Sequence, residues 1–263
     1  MAHRLATEGP VQADAAIRQA ALDYWESWGE GNPDRMEQAL HPDLAKRIVR
    51  PNDSPSHPWP PGDFLFELSA MSLIQWTDHQ PIPVEEREGF EIVVLDRFED
   101  IASVKIATSG GAEYLHLALW NGRWVVVNVL WGLRQGRRSE ADDAAIETAA
   151  RGYACSDRRV LHPELAKRTV GPVRVPSPEW PSPAWPPGDK LYQLSALGLG
   201  QQLQLQEEPG YGVTIYDRVE NGASAKVDSL THVNVDYLHI AKWNDEWFVV
   251  NVLWALRQEV RPA

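Results

Sequence analysis

Tyr114-Leu115-His116-Leu117-Ala118-Leu119-Trp120-Asn121-Gly122-Arg123-Trp124-Val125-Val126-Val127-Asn128-Val129-Leu130-Trp131 decides how this chain folds. Two apolar runs flank Asn121-Gly122, a pair that accepts the backbone of a tight two-residue turn, so the stretch predicts an antiparallel hairpin. That turn pairs Trp120 with Arg123, Ala118 with Val125, His116 with Val127 and Tyr114 with Val129. One face then carries Tyr114, His116, Ala118, Val127, Val129 and Trp131. The other carries Leu115, Leu117, Leu119, Trp124, Val126, Asn128 and Leu130. Both faces are mostly apolar, so both are expected to be covered, one by the domain's own helices and the other by a second sheet.

Working outward, the end of this hairpin recurs. Val127-Asn128-Val129-Leu130-Trp131 returns letter for letter at 250–254, and Tyr114-Leu115-His116 returns as Tyr237-Leu238-His239. Upstream, His41-Pro42-Asp43-Leu44-Ala45-Lys46-Arg47 matches His162-Pro163-Glu164-Leu165-Ala166-Lys167-Arg168. Trp59-Pro60-Pro61-Gly62-Asp63 matches Trp185-Pro186-Pro187-Gly188-Asp189, and Asp96-Arg97 matches Asp217-Arg218. The order is the same in both copies, which identifies a tandem duplication. The stretch Tyr153–His162 is eight residues shorter than Tyr24–His41, an indel of the kind loops accept. The polar run 135–143 is the linker between a first domain over 12–134 and a second over 144–258.

Each copy begins with a helical pattern (Ile17, Ala20, Ala21, Tyr24; then Ile146, Ala149, Ala150, Tyr153), with Asp14 and Asp143 as expected N-caps. Strands are expected over 91–95, 102–108, 114–120 and 123–133. Helices followed by an antiparallel meander give an α+β class. A net charge of −12 leaves no excess of Lys and Arg for phosphates, which argues against a nucleic-acid partner. Cys155 is the single cysteine, so neither an internal disulfide nor a thiolate cluster is available. The first residues hold no apolar run of the signal-peptide kind, and no stretch reaches the ~18 apolar residues of a membrane helix, so a cytoplasmic, membrane-free protein is expected. No close-spaced metal-ligand pattern, glycine-rich phosphate loop or nucleophile elbow is present; the expectation is no metal and no cofactor.

Each half resembles the nuclear-transport-factor-2-like superfamily, in its lumazine-binding branch, which is related to SnoaL-like and ketosteroid-isomerase-like proteins. The carriers are the His-Pro-Asp turn after the first helices and the Trp…Val-Asn of the last hairpin. The resemblance implies two cone-shaped domains, each a curved antiparallel sheet packed on N-terminal helices, arranged as an internal pseudo-dimer within one chain. Laid on the terminal hairpin, the isomerase-like members put their oxyanion-stabilising acid at His116 and an apolar pocket wall at Val127, Val129 and Trp131. Their general-base carboxylate has no counterpart: the matching stretches read Ala45-Lys46-Arg47-Ile48 and Ala166-Lys167-Arg168-Thr169.

On this reading His116 and His239 are the candidate catalytic residues, as acid/base or oxyanion donors in an apolar cone. Tyr114, Tyr237, Trp131 and Trp254 are candidate pocket groups beside them. Lys46 and Lys167 are candidates for positive charge at the pocket mouth, and His41 and His162 for the same rim, although a turn histidine is the plainer role. Trp59 and Trp185, each before a stiff Pro-Pro, are candidate ligand clamps. Asp63 and Asp189 are either acid/base candidates or caps of a following helix, capping being the plainer role. The leading expectation is a cofactor-independent isomerase, dehydratase or cyclase acting on a small cyclic or aromatic substrate. The alternative is a non-catalytic small-molecule-binding or scaffold protein.

Overall fold

A computed structural model describes residues 10–52, 62–79, 89–133, 139–172, 189–202, 210–229 and 234–257. The first half runs α1 (Pro10–Glu30), α2 (Pro33–Ala39), β1 (Leu40–Asn52), β2 (Gly62–Ser69), α3 (Ala70–His79), β3 (Glu91–Phe98), β4 (Ile101–Thr108), β5 (Gly111–Trp120) and β6 (Arg123–Leu133). The second runs α4 (Glu140–Ala154), a 3-10 turn at Arg158–Val160, β7 (Leu161–Pro172), β8 (Asp189–Ser195), α5 (Ala196–Gln202), β9 (Tyr211–Val219), β10 (Gly222–Ser229), β11 (Asn234–Trp243) and β12 (Glu246–Leu256). Each half forms one six-stranded sheet, ordered β2-β1-β6-β5-β4-β3 and β8-β7-β12-β11-β10-β9. The neighbours are antiparallel except β1 on β6 and β7 on β12, which are parallel. The two-domain α+β duplication read from the repeats is the observed architecture.

Several local expectations shift. α1 starts at Pro10, a residue suited to the first helical turn, rather than at an Asp14 cap. α4 is capped by Ser139, whose hydroxyl accepts from the Asp142 amide at 3.1 Å, rather than by Asp143. Asp63 lies in β2 and caps no helix. His41-Pro42-Asp43 belongs to β1, immediately after α2 ends.

The turn at the centre of the repeat forms as expected. Asn121 and Gly122 both have positive φ, 51° and 75°, and Asn244 and Asp245 do the same in the second half. Register holds from Trp120↔Arg123 to Leu117↔Val126 and then slips by one at a β-bulge, so that His116 faces Asn128 and Tyr114 faces Leu130. An equivalent bulge sits at Val250, putting His239 opposite Asn251. A bulge moves every later side chain to the other face. Val129 therefore joins Leu115, Leu117, Trp124 and Val126 in a core packed against Ile17, Tyr24, Met36 and Leu73 of the helices. Tyr114 and Leu130 pack with Val219, Ala241 and Val250 of the second half, and Ala118, Val125 and Val127 pack with Val235, Tyr237 and Leu253. The helix-facing side is the inside of each cone; the other side joins the two domains.

That junction has a pseudo-two-fold pattern of hydrogen bonds. Each bulge turns a carbonyl out of the ladder, and an arginine from the opposite half takes it. Arg47 donates to the Val250 carbonyl at 2.5 Å and to Asn251 Oδ1 at 2.7 Å; Arg168 donates to the Val127 carbonyl at 2.8 Å and Asn128 Oδ1 at 2.9 Å. Asp63 and Asp189 each grip the opposite hairpin turn. The Asp63 amide donates to Asn244 Oδ1 and the Asn244 amide to Asp63 Oδ2, both at 2.8 Å, and the Asp189–Asn121 pair repeats this. Gly62 has φ of 124°, and a Cβ there would meet Asn244 Oδ1 at 2.9 Å, which explains glycine before that aspartate.

Gly132 marks the closest approach: a Cβ on it would lie 2.2 Å from Val219 Cγ2 across the junction. Gly132→Ala is expected to cost about 1–3 kcal/mol through this overpacking. Denaturant unfolding of the variant checks it; unchanged stability would mean that the two sheets are not packed this closely.

Candidate functional site

Inside the first cone, three elements bring a charged group together away from solvent. α1 turns Tyr24 inward with Ile17 and Ala21, β1 supplies Lys46, and β5 supplies Glu113 on the same face as Leu115 and Leu117. The Lys46 ammonium donates to Glu113 Oε1 at 2.6 Å and to the Tyr24 hydroxyl oxygen at 2.8 Å, while the Tyr24 hydroxyl donates to Glu113 Oε2 at 2.6 Å. The same ammonium lies 5.4 Å from the centre of the Trp28 ring and 5.2 Å from that of Trp131, within cation–π range. Burial, and then the Glu113 charge, push the Tyr24 hydroxyl well above its usual pKa, so it stays a neutral donor.

The second cone repeats the group. Lys167 donates to the Tyr153 hydroxyl oxygen at 2.7 Å and to Asp236 Oδ2 at 3.0 Å; Tyr153 donates to the same Oδ2 at 2.7 Å. Trp254 lies 5.4 Å from the ammonium. Burial and the Asp236 charge hold the Tyr153 hydroxyl well above its usual pKa too.

Of the residues singled out from sequence, the structure therefore gathers Lys46 and Trp131 in one cone and Lys167 and Trp254 in the other. Tyr114, His116, Tyr237 and His239 face away from the cones, and this placement is a correction. They share a face with one another as expected, but that face is the junction, because the bulges send Val129 and Trp131 to the opposite side. The imidazoles of His116 and His239 stack on each other with centroids 3.6 Å apart, both fully buried. Asn128 Nδ2 approaches His116 Nδ1 at 3.2 Å, and Asn251 holds His239 alike, which puts each ring proton on Nε2. Burial, with the Arg168 charge, lowers His116 to about 3; burial, His116 and Arg47 lower His239 well below 6.5. A cofacial pair of neutral imidazoles closed between two sheets offers a ligand no approach. Tyr114 donates to Asp217 Oδ2 across the junction at 2.6 Å.

His41 and His162 are buried beside the tryptophan at the end of their own hairpin, edge-on to Trp120 at 4.7 Å and to Trp243 at 4.8 Å. Each Nδ1 accepts the amide two residues on, from Asp43 and Glu164, so they are turn-stabilising histidines rather than pocket groups. The tryptophans they brace donate across the junction, Trp120 to the Asp189 carbonyl and Trp243 to that of Asp63. Trp59 and Trp185 lie outside the described residues.

Sequence reasoning missed Glu113 and Asp236, and it read Tyr24 and Tyr153 only as helix periodicity. A signal was present. An acidic residue directly before Tyr-Leu-His, in both copies, interrupts an inward-facing apolar strand position, and such a position is costly unless a cation meets it. Among the described residues, no group of three or more His, Cys, Asp or Glu is placed to hold a metal ion, and no helix is long and apolar enough to cross a membrane.

Residues 12–132 match the protein family described as "Putative lumazine-binding". No curated protein matches the chain. Among solved structures, similar chains include an NTF2-like protein from Shewanella baltica OS155, 18% identical, covering 49% of this chain and 100% of its own, with a TM-score of 0.38. An NTF2-like protein from Silicibacter pomeroyi DSS-3 is 14% identical over 48% of this chain and 100% of its own, with a TM-score of 0.37. One from Methylobacillus flagellatus KT is 16% identical over 50% of this chain and 99% of its own, with a TM-score of 0.36. All three are described as of unknown function.

Proposed function

We propose that this chain, a tandem pair of NTF2-like domains whose first half matches the lumazine-binding family, binds a small planar molecule inside its cones through the lysine, carboxylate, tyrosine and tryptophan that both halves build there. The observation that carries the reading is the repetition of this buried polar group. Replacing a buried ion pair with apolar side chains of similar volume is often neutral or stabilising by about 1–4 kcal/mol, so packing alone gives little reason to keep one in each domain. A binding site does: a few polar groups in an apolar, aromatic concavity fix a ligand's orientation. The family match supports a small-molecule ligand.

Binding, rather than turnover, is the better-supported reading. The histidines expected to move protons are enclosed between the sheets, and both cone tyrosines are held as neutral phenols. In the first cone each carboxylate oxygen already accepts a hydrogen bond. An isomerase, dehydratase or cyclase would have to use the lysine and carboxylate instead.

The test is a panel of planar heterocycles, lumazine included, screened by thermal unfolding of the full chain. A compound at about 100 times its Kd is expected to add about 2.7 kcal/mol of stability, and Trp254→Leu is expected to weaken it at least tenfold. A panel in which nothing stabilises the chain overturns the reading.

A further inference from the structure

The two cones share their residue types, but their carboxylates differ in how they are satisfied. In the first, Glu113 receives Tyr24 on one oxygen and Lys46 on the other. In the second, Asp236 is one methylene shorter, and both Tyr153 and Lys167 converge on Oδ2. Oδ1 is buried and has no hydrogen-bond partner among the described residues. Asp236 itself is 5% exposed and lies on the cone face of β11, alternating with Leu238 and Ile240 of the helix-side core. A buried carboxylate oxygen without a donor is unfavourable, so this position is suited to a donor from outside the chain.

The cover over the two ammonium groups differs as well. α1 continues for 21 residues and sets Trp28 one turn past Tyr24, over Lys46. α4 has 15 residues and ends at Ala154, directly after Tyr153, and the chain leaves through the 3-10 turn at Arg158–Val160. The indel read between Tyr153 and His162 thus removes the segment that carries Trp28. The Lys46 side chain is 5% exposed and that of Lys167 15%. Two of the three Lys167 ammonium protons are used, by Tyr153 and Asp236.

We infer that the second cone is the ligand site, and that it recognises a planar heterocycle by a cyclic-amide edge, whose N–H meets Asp236 Oδ1 and whose neighbouring carbonyl meets Lys167, beside Trp254. The first cone, where both Glu113 oxygens are already taken and Trp28 lies over Lys46, offers this edge no free acceptor. The inference rests on the cone-binding reading and goes beyond it in naming the half and the edge.

Calorimetric titration of the full chain with lumazine, and with its 1,3-dimethyl derivative, which lacks both ring N–H groups, tests it. One lumazine per chain is expected, with at least tenfold weaker binding of the dimethyl compound. Asp236→Asn, which replaces the free acceptor by a donor, is expected to weaken lumazine at least tenfold while circular dichroism shows the fold retained. Two sites per chain, equal binding of the methylated compound, or full affinity in a folded Asp236→Asn chain overturns the inference and leaves cone binding standing. If lumazine does not bind, amide-edge recognition is overturned; the broader reading then falls only if the whole heterocycle panel fails. The stoichiometry and the methylated probe need only the wild-type chain, so a variant that misfolds does not shield the inference.

Discussion

Replacing Lys46 with methionine is expected to cost about 3–5 kcal/mol of unfolding free energy, a large part of the stability of a domain this size. The side chain is 5% exposed and its partner Glu113 9%, so removing the ammonium strands a carboxylate in a low-dielectric core with only the Tyr24 hydroxyl for company. The loss comes less from the missing attraction than from the uncompensated charge. Removing both charges together, as Lys46→Met with Glu113→Gln, is therefore expected to recover most of the loss. Urea unfolding of the two variants measures this. A Lys46→Met cost below about 1 kcal/mol, or a double variant no better than the single, would mean that the two groups do not compensate each other inside the cone.

Acid is expected to undo the junction between the domains. Four buried histidines line it or brace it, and all have depressed pKa values. Burial, and then the Arg168 charge against an opposing Asp43, lower His41 to about 4; burial and the Arg47 charge lower His162 to about 4. His116 falls to about 3 and His239 well below 6.5 for the reasons given above. Each is neutral in the folded chain and protonates near 6.5 once unfolded, so the unfolded state takes up protons first as pH falls. Their stabilising contribution is complete above about pH 6.5 and declines as pH falls, to about pH 4 for His41 and His162 and about pH 3 for His116, by up to about 1.4 kcal/mol per pH unit for each histidine. Asp96, raised by burial but held below its usual value by Tyr216 and Lys226 across the junction, contributes loss only at lower pH. Denaturant unfolding at pH 7, 6 and 5 is expected to show falling stability, with a shallower slope in His116→Leu/His239→Leu. Constant stability down to pH 5 would contradict the placement of these rings.

The duplication, the α+β order and the turn at Asn121-Gly122 were legible in the residues, because each rests on local chemistry or on self-comparison. The bulge was not. Val125-Val126-Val127-Asn128-Val129 is apolar in nearly every position, so a slip of one residue leaves no mismatched side chain to betray it. That single slip turned Val129 and Trp131 into the cone and left His116 and His239, which the unslipped register puts on the same face as them, at the junction. Repetition misled in a related way. Tyr114 and His116, kept in both halves, were assigned to a pocket, yet they reach the other domain or stack against it, as do the equally repeated Arg47, Asp63 and Asn128. A two-fold junction needs the same residues from both sides, so it imposes repetition as strongly as a shared ligand would. Lys46 and Trp131 were identified as pocket groups, but their acidic partner was not, since Glu113 approaches from a strand 67 residues away.

The division of labour between cone and junction is the claim on which the rest depends. One titration addresses it: lumazine affinity in Lys167→Met and in His239→Leu, each with the fold verified by circular dichroism. Loss of at least tenfold in Lys167→Met, with His239→Leu within about twofold of the wild-type chain, is the predicted result. Loss in His239→Leu with full affinity in Lys167→Met would place the ligand between the sheets and contradict the account.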